Sequence, residues 1–109
     1  MVTIDDFAKL EFKVGRVMEC VPVEGSEKLL KLTVDLGEET PRTILSGIAK
    51  WFAPEDLIGN NYVFVANLEP RMMMGMESQG MILAADGGDD NGPVPLIPQT
   101  EVAPGSRVK

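Results

Sequence analysis

The sequence predicts a mainly β fold. The expected architecture is a five-stranded antiparallel barrel with a short helix between strands three and four and extra strands at the C-terminal end. Three observations predict it. Leu30, Leu32, Val34 and Leu36 alternate with Lys31, Thr33 and Asp35, a period of two that buries one strand face and wets the other. Short apolar runs punctuated by Gly, Pro and Asn give the order β-β-β-helix-β-β. A glycine, Gly15, interrupts the first long strand and flips its parity, as a bulge or sharp bend would.

In chain order, Thr3 to Leu10 reads as a short capped helix, with Thr3 or Asp5 accepting the first free amides and Phe7 and Leu10 on one face. Its expected role is to cover a barrel end. Glu11 to Val21 is the first strand, bent at Gly15 because small barrels need a bent strand to close. Val23 to Glu27 is a turn, and Leu29 to Leu36 is the second strand. Gly37 to Pro41 closes a hairpin onto the third strand, Arg42 to Ser46, with Ile44 toward the core. Lys28, Lys31 and Arg42 are expected to gather on the wet side of this hairpin.

Pro54 to Gly59 has Pro first, acids in the first turn and Gly after the end, which reads as a helix of one to two turns. Trp51 and Phe52 just before it are expected to cap the core, with base stacking as the alternative role. Tyr62 to Ala66 is strand four and Gly80 to Ala85 strand five. This order, with a bent first strand and a helix between strands three and four, is the layout of an OB-type Greek-key barrel. Beyond it, Gly87 to Gly92 is a turn whose carboxylate spacing does not match a calcium loop. Val94 to Pro98 alternates apolar residues with prolines, so it is at most an edge strand. The expected division is one domain over residues 1–109, with a barrel at about 11–85 and an extension at about 86–109 that wraps its own barrel or a second copy.

Composition narrows the function. No histidine is present, which removes the commonest general base and metal ligand, and the single Cys20 completes no zinc set. No nucleophile stands beside a base, and neither common phosphate-loop motif occurs, so no catalysis and no cofactor are expected. No apolar run approaches the ~18 residues of a membrane span. One unpaired cysteine and a Met1 start without a leader suggest the cytoplasm. The net charge of −7 opposes binding of a polyanion unless the few cations share one face.

The stretch Val63 to Ala85 draws attention for that reason. Between its two apolar runs lies an expected functional loop with Asn67, Arg71, Ser78, four methionines, Pro70 and two glycines. Arg71 is the only basic residue between Lys50 and Arg107.

Several separated blocks resemble a known family. They are Asp5-Asp6-Phe7-Ala8-Lys9-Leu10, Val14-Gly15-Arg16-Val17, Val23 to Asp35, and Ser46-Gly47-Ile48. Val65 to Arg71, Glu77 to Ala85 and Pro104 to Val108 complete the set. The chain is similar to the tRNA-binding domain found at the C-terminus of many methionyl-tRNA synthetases, as free-standing tRNA-binding proteins, and in endothelial monocyte-activating polypeptide. The resemblance implies an OB barrel with extra C-terminal strands, a homodimer, and recognition of tRNA by shape; the sequence itself points to residues 93–108 for the dimer seam. It implies a link to a methionyl-tRNA synthetase catalytic domain, with the Gly25-Ser26-Glu27-Lys28 block closer to the synthetase-attached branch. It implies contacts from Lys28, Asn67, Arg71, Ser78 and Met81, to which the charge pattern adds Lys31 and Arg42. Lys and Arg would meet phosphates, and Asn67 and Ser78 a ribose hydroxyl or base edge. Met81, flexible and polarizable, would pack on a base.

The chain departs from this pattern after Pro70-Arg71. Met72, Met73, Met74, Met76 and Glu77 stand where the family usually carries basic residues. Weak tRNA binding is therefore expected. The alternative is a protein-interaction or secretion-chaperone-like dimer, which methionine-rich surfaces suit.

Overall fold

The computed structural model describes residues 1–109. In chain order the elements are α1 (Ile4–Ala8), β1 (Phe12–Pro22), β2 (Leu30–Asp35), β3 (Arg42–Ser46), α2 (Pro54–Leu57) and β4 (Asn61–Val65). There follow β5 (Arg71–Met73), β6 (Met76–Ser78), β7 (Met81–Ile82), β8 (Ala84–Asp86), α3 (Gly88–Asn91), β9 (Pro93–Pro95) and β10 (Arg107–Val108). The main antiparallel sheet runs β3-β2-β1-β4-β7, with β10 beside the start of β1.

The sheet curls until its two edges meet. The Gln79 amide N–H donates to the Thr43 carbonyl at 2.8 Å, and the Thr43 N–H donates to Gln79 Oε1 at 3.0 Å. The Leu45 N–H donates to Ser78 Oγ at 3.0 Å. Side chains as well as backbone thus stitch β3 to the run leading into β7. The result is an OB-type barrel.

The alternation read in β2 sets the core. Leu30, Leu32, Val34 and Leu36 are buried with Val17, Ile44, Phe64 and Leu57, while Lys31, Thr33 and Asp35 are not. Each such side chain stabilises the fold by about 1.5–3 kcal/mol on burial. Leu57 comes from α2, where Pro54 opens the helix and the Ala53 N–H donates to the Asp56 carboxylate at 2.9 Å.

Several expectations change. Gly15 is not the site of the register shift: β1 pairs with β4 without a break from Phe12 to Arg16, and the shift against β2 lies between Val17 and Glu19. Gly15 is instead small because the barrel is tight. A β-carbon there would lie 2.7–2.9 Å from Val34, Leu36 and Phe64. The stretch read as a functional loop contains a hairpin of its own, β5–β6, turned by Met74 (φ 51°) and Gly75 (φ 77°). Consecutive positive φ values are what a two-residue hairpin turn needs.

The fifth strand is split as well. β7 continues the barrel, and β8 turns away to pair with β9, the proline-bounded edge strand. The tail lies partly along its own barrel, with the Val63 N–H bonded to the Leu96 carbonyl at 3.0 Å. Helix α1 carries the expected cap, the Asp6 N–H donating to Thr3 Oγ1 at 3.1 Å, but none of its residues is buried. Its one aromatic contact is between Phe7 and Phe12, 5.5 Å apart. Phe52 packs on the core as expected, whereas Trp51 lies against Gly92, where a β-carbon would sit 2.2 Å from the indole.

Candidate nucleic-acid interface

The outer face of β2 and β3 is built around Leu45. It stands opposite Lys31 across the ladder, pointing away from the core that Leu32 and Ile44 share. The hairpin β5–β6 folds over it. Met73 and Met76 pack on a small cluster of Leu45, Val23 and Leu29, the last two from the turn between β1 and β2. Gly25 of that turn lies near the Met74 side chain at the hairpin tip. One strand face is therefore flanked by two loops, the arrangement with which OB barrels hold oligonucleotides.

The cations divide into two groups. Lys28 and Arg71 are exposed, Lys31 is half-buried on the strand face, and none of the three forms an ion pair within the chain. Lys28 adjoins Leu29, Lys31 faces Leu45, and Arg71 lines a small cleft with Leu45, Ser78 and Met81. Lys31 and Arg71 thus border the patch around Leu45, and Lys28 directly precedes Leu29 of the same cluster. Met81 is 42% exposed beside Arg71, free to touch a ligand.

Arg42 is elsewhere. Its register partner is Val34, a core residue, so it lies on the inward side of β3 and not on the wet side where the charge pattern placed it. Its guanidinium forks onto Glu38 with two bonds of 2.8 Å, and it donates to the Gln79 carbonyl at 3.1 Å and to the Ala66 carbonyl. These bonds hold the Glu38 carboxyl below the usual glutamate range. They also raise the Arg42 pKa, so the guanidinium stays charged.

The two neutral polar candidates are also engaged. Ser78 is 3% exposed, and its hydroxyl accepts from the Leu45 N–H and donates to the Gly80 carbonyl at 3.0 Å. Asn67 accepts from the Glu11 N–H at 2.8 Å and donates to the Lys9 carbonyl at 2.7 Å, tying α1 and β1 to the end of β4. Asn67 is exposed and keeps spare donor and acceptor capacity. Sequence reasoning overlooked Gln79 and Thr43. The signal for Gln79 was its place between two small residues at the start of a strand, but its barrel-closing bonds join residues 36 apart.

Cys20 is buried, and burial first, then the Glu55 charge, pushes its thiol up to about 11, so it is no nucleophile at neutral pH.

Comparisons with known proteins bear on the family and the fold. The family described as "Putative tRNA binding domain" matches residues 12–107. A methionine–tRNA ligase of Methanocella arvoryzae is 48% identical over 108 residues, covering 99% of this chain and 15% of that protein. The chain therefore spans a small part of such ligases, and the rest of the ligase has no counterpart in it. The crystal structure of a MetRS related protein from Pyrococcus horikoshii superposes with a TM-score of 0.91 at 39% identity, covering 100% of this chain and 98% of that one. That of the chaperone CsaA from Bacillus anthracis str. Ames gives 0.88 at 28% identity, covering 100% and 99%. With the family matched over nearly its whole length and a relative of equal size sharing its fold, this chain belongs to the tRNA-binding domain family.

Proposed function

We propose that this chain is a non-catalytic module that holds tRNA on the outer face of β2 and β3, between the turn at residues 23–29 and the β5–β6 hairpin. The observation that carries this reading is the convergence of Lys28, Lys31 and Arg71, all without ion partners, around the Leu45 cluster. Lys28 and Arg71 meet phosphate oxygens, and Met81 packs beside them. Arg42 and Ser78 hold the face in shape, and Asn67 fixes α1 while lending its spare capacity to a ribose. Binding is weak and salt-sensitive, because three free cations work against a net charge of −7. The module serves a methionyl-tRNA synthetase catalytic domain in the cytoplasm, as a single domain over residues 1–109.

We read the module as a homodimer. Ile4, Phe7 and Leu10 of α1 and Leu96 and Ile97 of the tail expose large apolar side chains, and these segments flank the β1–β4 pair. Asn61 Oδ1, beside the cleft formed by residues 97–101, is buried without a hydrogen-bond partner. A second copy would cover the one and satisfy the other.

A gel shift with mixed tRNA tests the binding reading. Lys28→Ala and Arg71→Ala should each weaken binding several-fold, while Lys50→Ala, beside Trp51, leaves it unchanged. A second reading, an interaction module for apolar peptide, is favoured by exposed Met72 (68%) and Met74 (57%) and by the likeness to CsaA. It predicts that neither cation variant matters.

A further inference from the structure

A carboxylate lines a cleft at the edge of the proposed RNA face. Glu77 of β6 stands opposite Met72, on the outward side of the hairpin, and is exposed. It forms no ion pair, although Lys31 lines the same cleft. That cleft, about 320 Å³, lies between the hairpin edge and the β2–β3 face and is lined by Lys31, Thr43, Met76, Glu77 and Gln79. An unpaired acid there repels phosphate, so on a polyanion-binding surface it is a cost unless it meets hydrogen-bond donors.

The groups around it define which donors. Gln79 is oriented by its partner: the Thr43 N–H requires the amide oxygen, which leaves the Nε2 group to point away from that bond. The cleft thus offers an acceptor-only carboxylate, donors from Lys31 and the Gln79 amide, and the Met76 thioether as an apolar surface. Among the four RNA bases, only guanine carries two adjacent N–H donors on its Watson–Crick edge, at N1 and N2. Its O6 and N7 are acceptors. In a duplex that edge is used in pairing, whereas in loops it is free and is the edge proteins read.

We propose that this cleft takes one unpaired guanine, Glu77 accepting from N1–H and the N2 amino group while Lys31 and Gln79 donate to the far edge. The proposal rests on the RNA-binding reading above and adds a base preference to it. Lys31 becomes a base contact, and Lys28 and Arg71 remain phosphate contacts.

The test is fluorescence anisotropy with the full chain and labelled octamers of uridine carrying a central guanosine, inosine, adenosine or cytidine. The wild type should prefer the guanosine oligomer to plain octa-uridine by about tenfold, with inosine, which lacks the N2 amino group, between them. In Glu77→Gln, a near-isosteric change at an exposed position whose fold is checked by circular dichroism, that preference should vanish while octa-uridine binds as well or better. A purely repulsive acid gives the opposite pattern: Glu77→Gln tightens every oligomer equally, which overturns the proposal. Equal affinity of the wild type for all oligomers also overturns it, while leaving tRNA binding intact. Failure of both proteins to bind any oligomer or mixed tRNA overturns the underlying RNA reading, and this inference with it.

Discussion

Arg42 stands two residues before Ile44, so both side chains leave β3 on the same side. That parity turns an apparent phosphate contact into an end plug, with Glu38 and two carbonyls as partners. The pair carries a pH signature. The Glu38 carboxyl is lowered from 4.5, chiefly by the Arg42 hydrogen bonds. The unfolded chain therefore binds the proton more readily than the folded one. The stabilisation is complete above the ordinary glutamate value and disappears as pH falls through the lowered, folded one. Because Glu38 remains partly solvated, the contribution is at most about 1 kcal/mol. Thermal unfolding of Glu38→Gln should show a deficit of that size at pH 7 that narrows toward pH 3. A deficit constant with pH would show that the ion pair is not its source. Ser78→Ala makes a complementary prediction. It leaves the buried Leu45 N–H without an acceptor, so urea denaturation should show a loss of about 1–3 kcal/mol. Wild-type stability in that variant would mean the hydroxyl is free for ligand.

At the scale of elements, what was legible in the sequence followed local periodicity. The alternation of β2, the Pro-to-Gly punctuation around α2 and the cap of α1 are each written within a few residues, and each element formed where expected. What misled was set by distant partners. Gly15 looks like a bulge from its neighbours alone, yet its smallness answers to Val34, Leu36 and Phe64 on other strands. Gly15→Ala should therefore destabilise the barrel by about 1–3 kcal/mol through overpacking, measured by urea denaturation. A neutral substitution would place the strain elsewhere. The hairpin β5–β6 was hidden by its methionines, which lack strand character, while its turn residues Met74 and Gly75 are ordinary in sequence and special only in φ. The candidate face was half legible. Lys28, Lys31, Arg71 and Met81 reach solvent on it, while Ser78 went to structure because the hairpin folds back over Leu45.

At the scale of the whole molecule, charge and shape pull in different directions. Seventeen acidic residues against ten basic ones repel a polyanion at long range, so any grip must come from short-range contacts on one face. The barrel supplies that face by letting a small apolar cluster draw a turn and a hairpin together beside a strand pair. The measurement that tests this most directly is the salt dependence of tRNA affinity for the wild type and the Lys28→Ala, Arg71→Ala double variant. Each phosphate contact contributes about 0.7–0.9 to the slope of log affinity against log salt, so losing both should flatten it by about 1.4–1.8. An unchanged slope, with tRNA still bound, would place the nucleic acid on some other part of the surface and contradict the account.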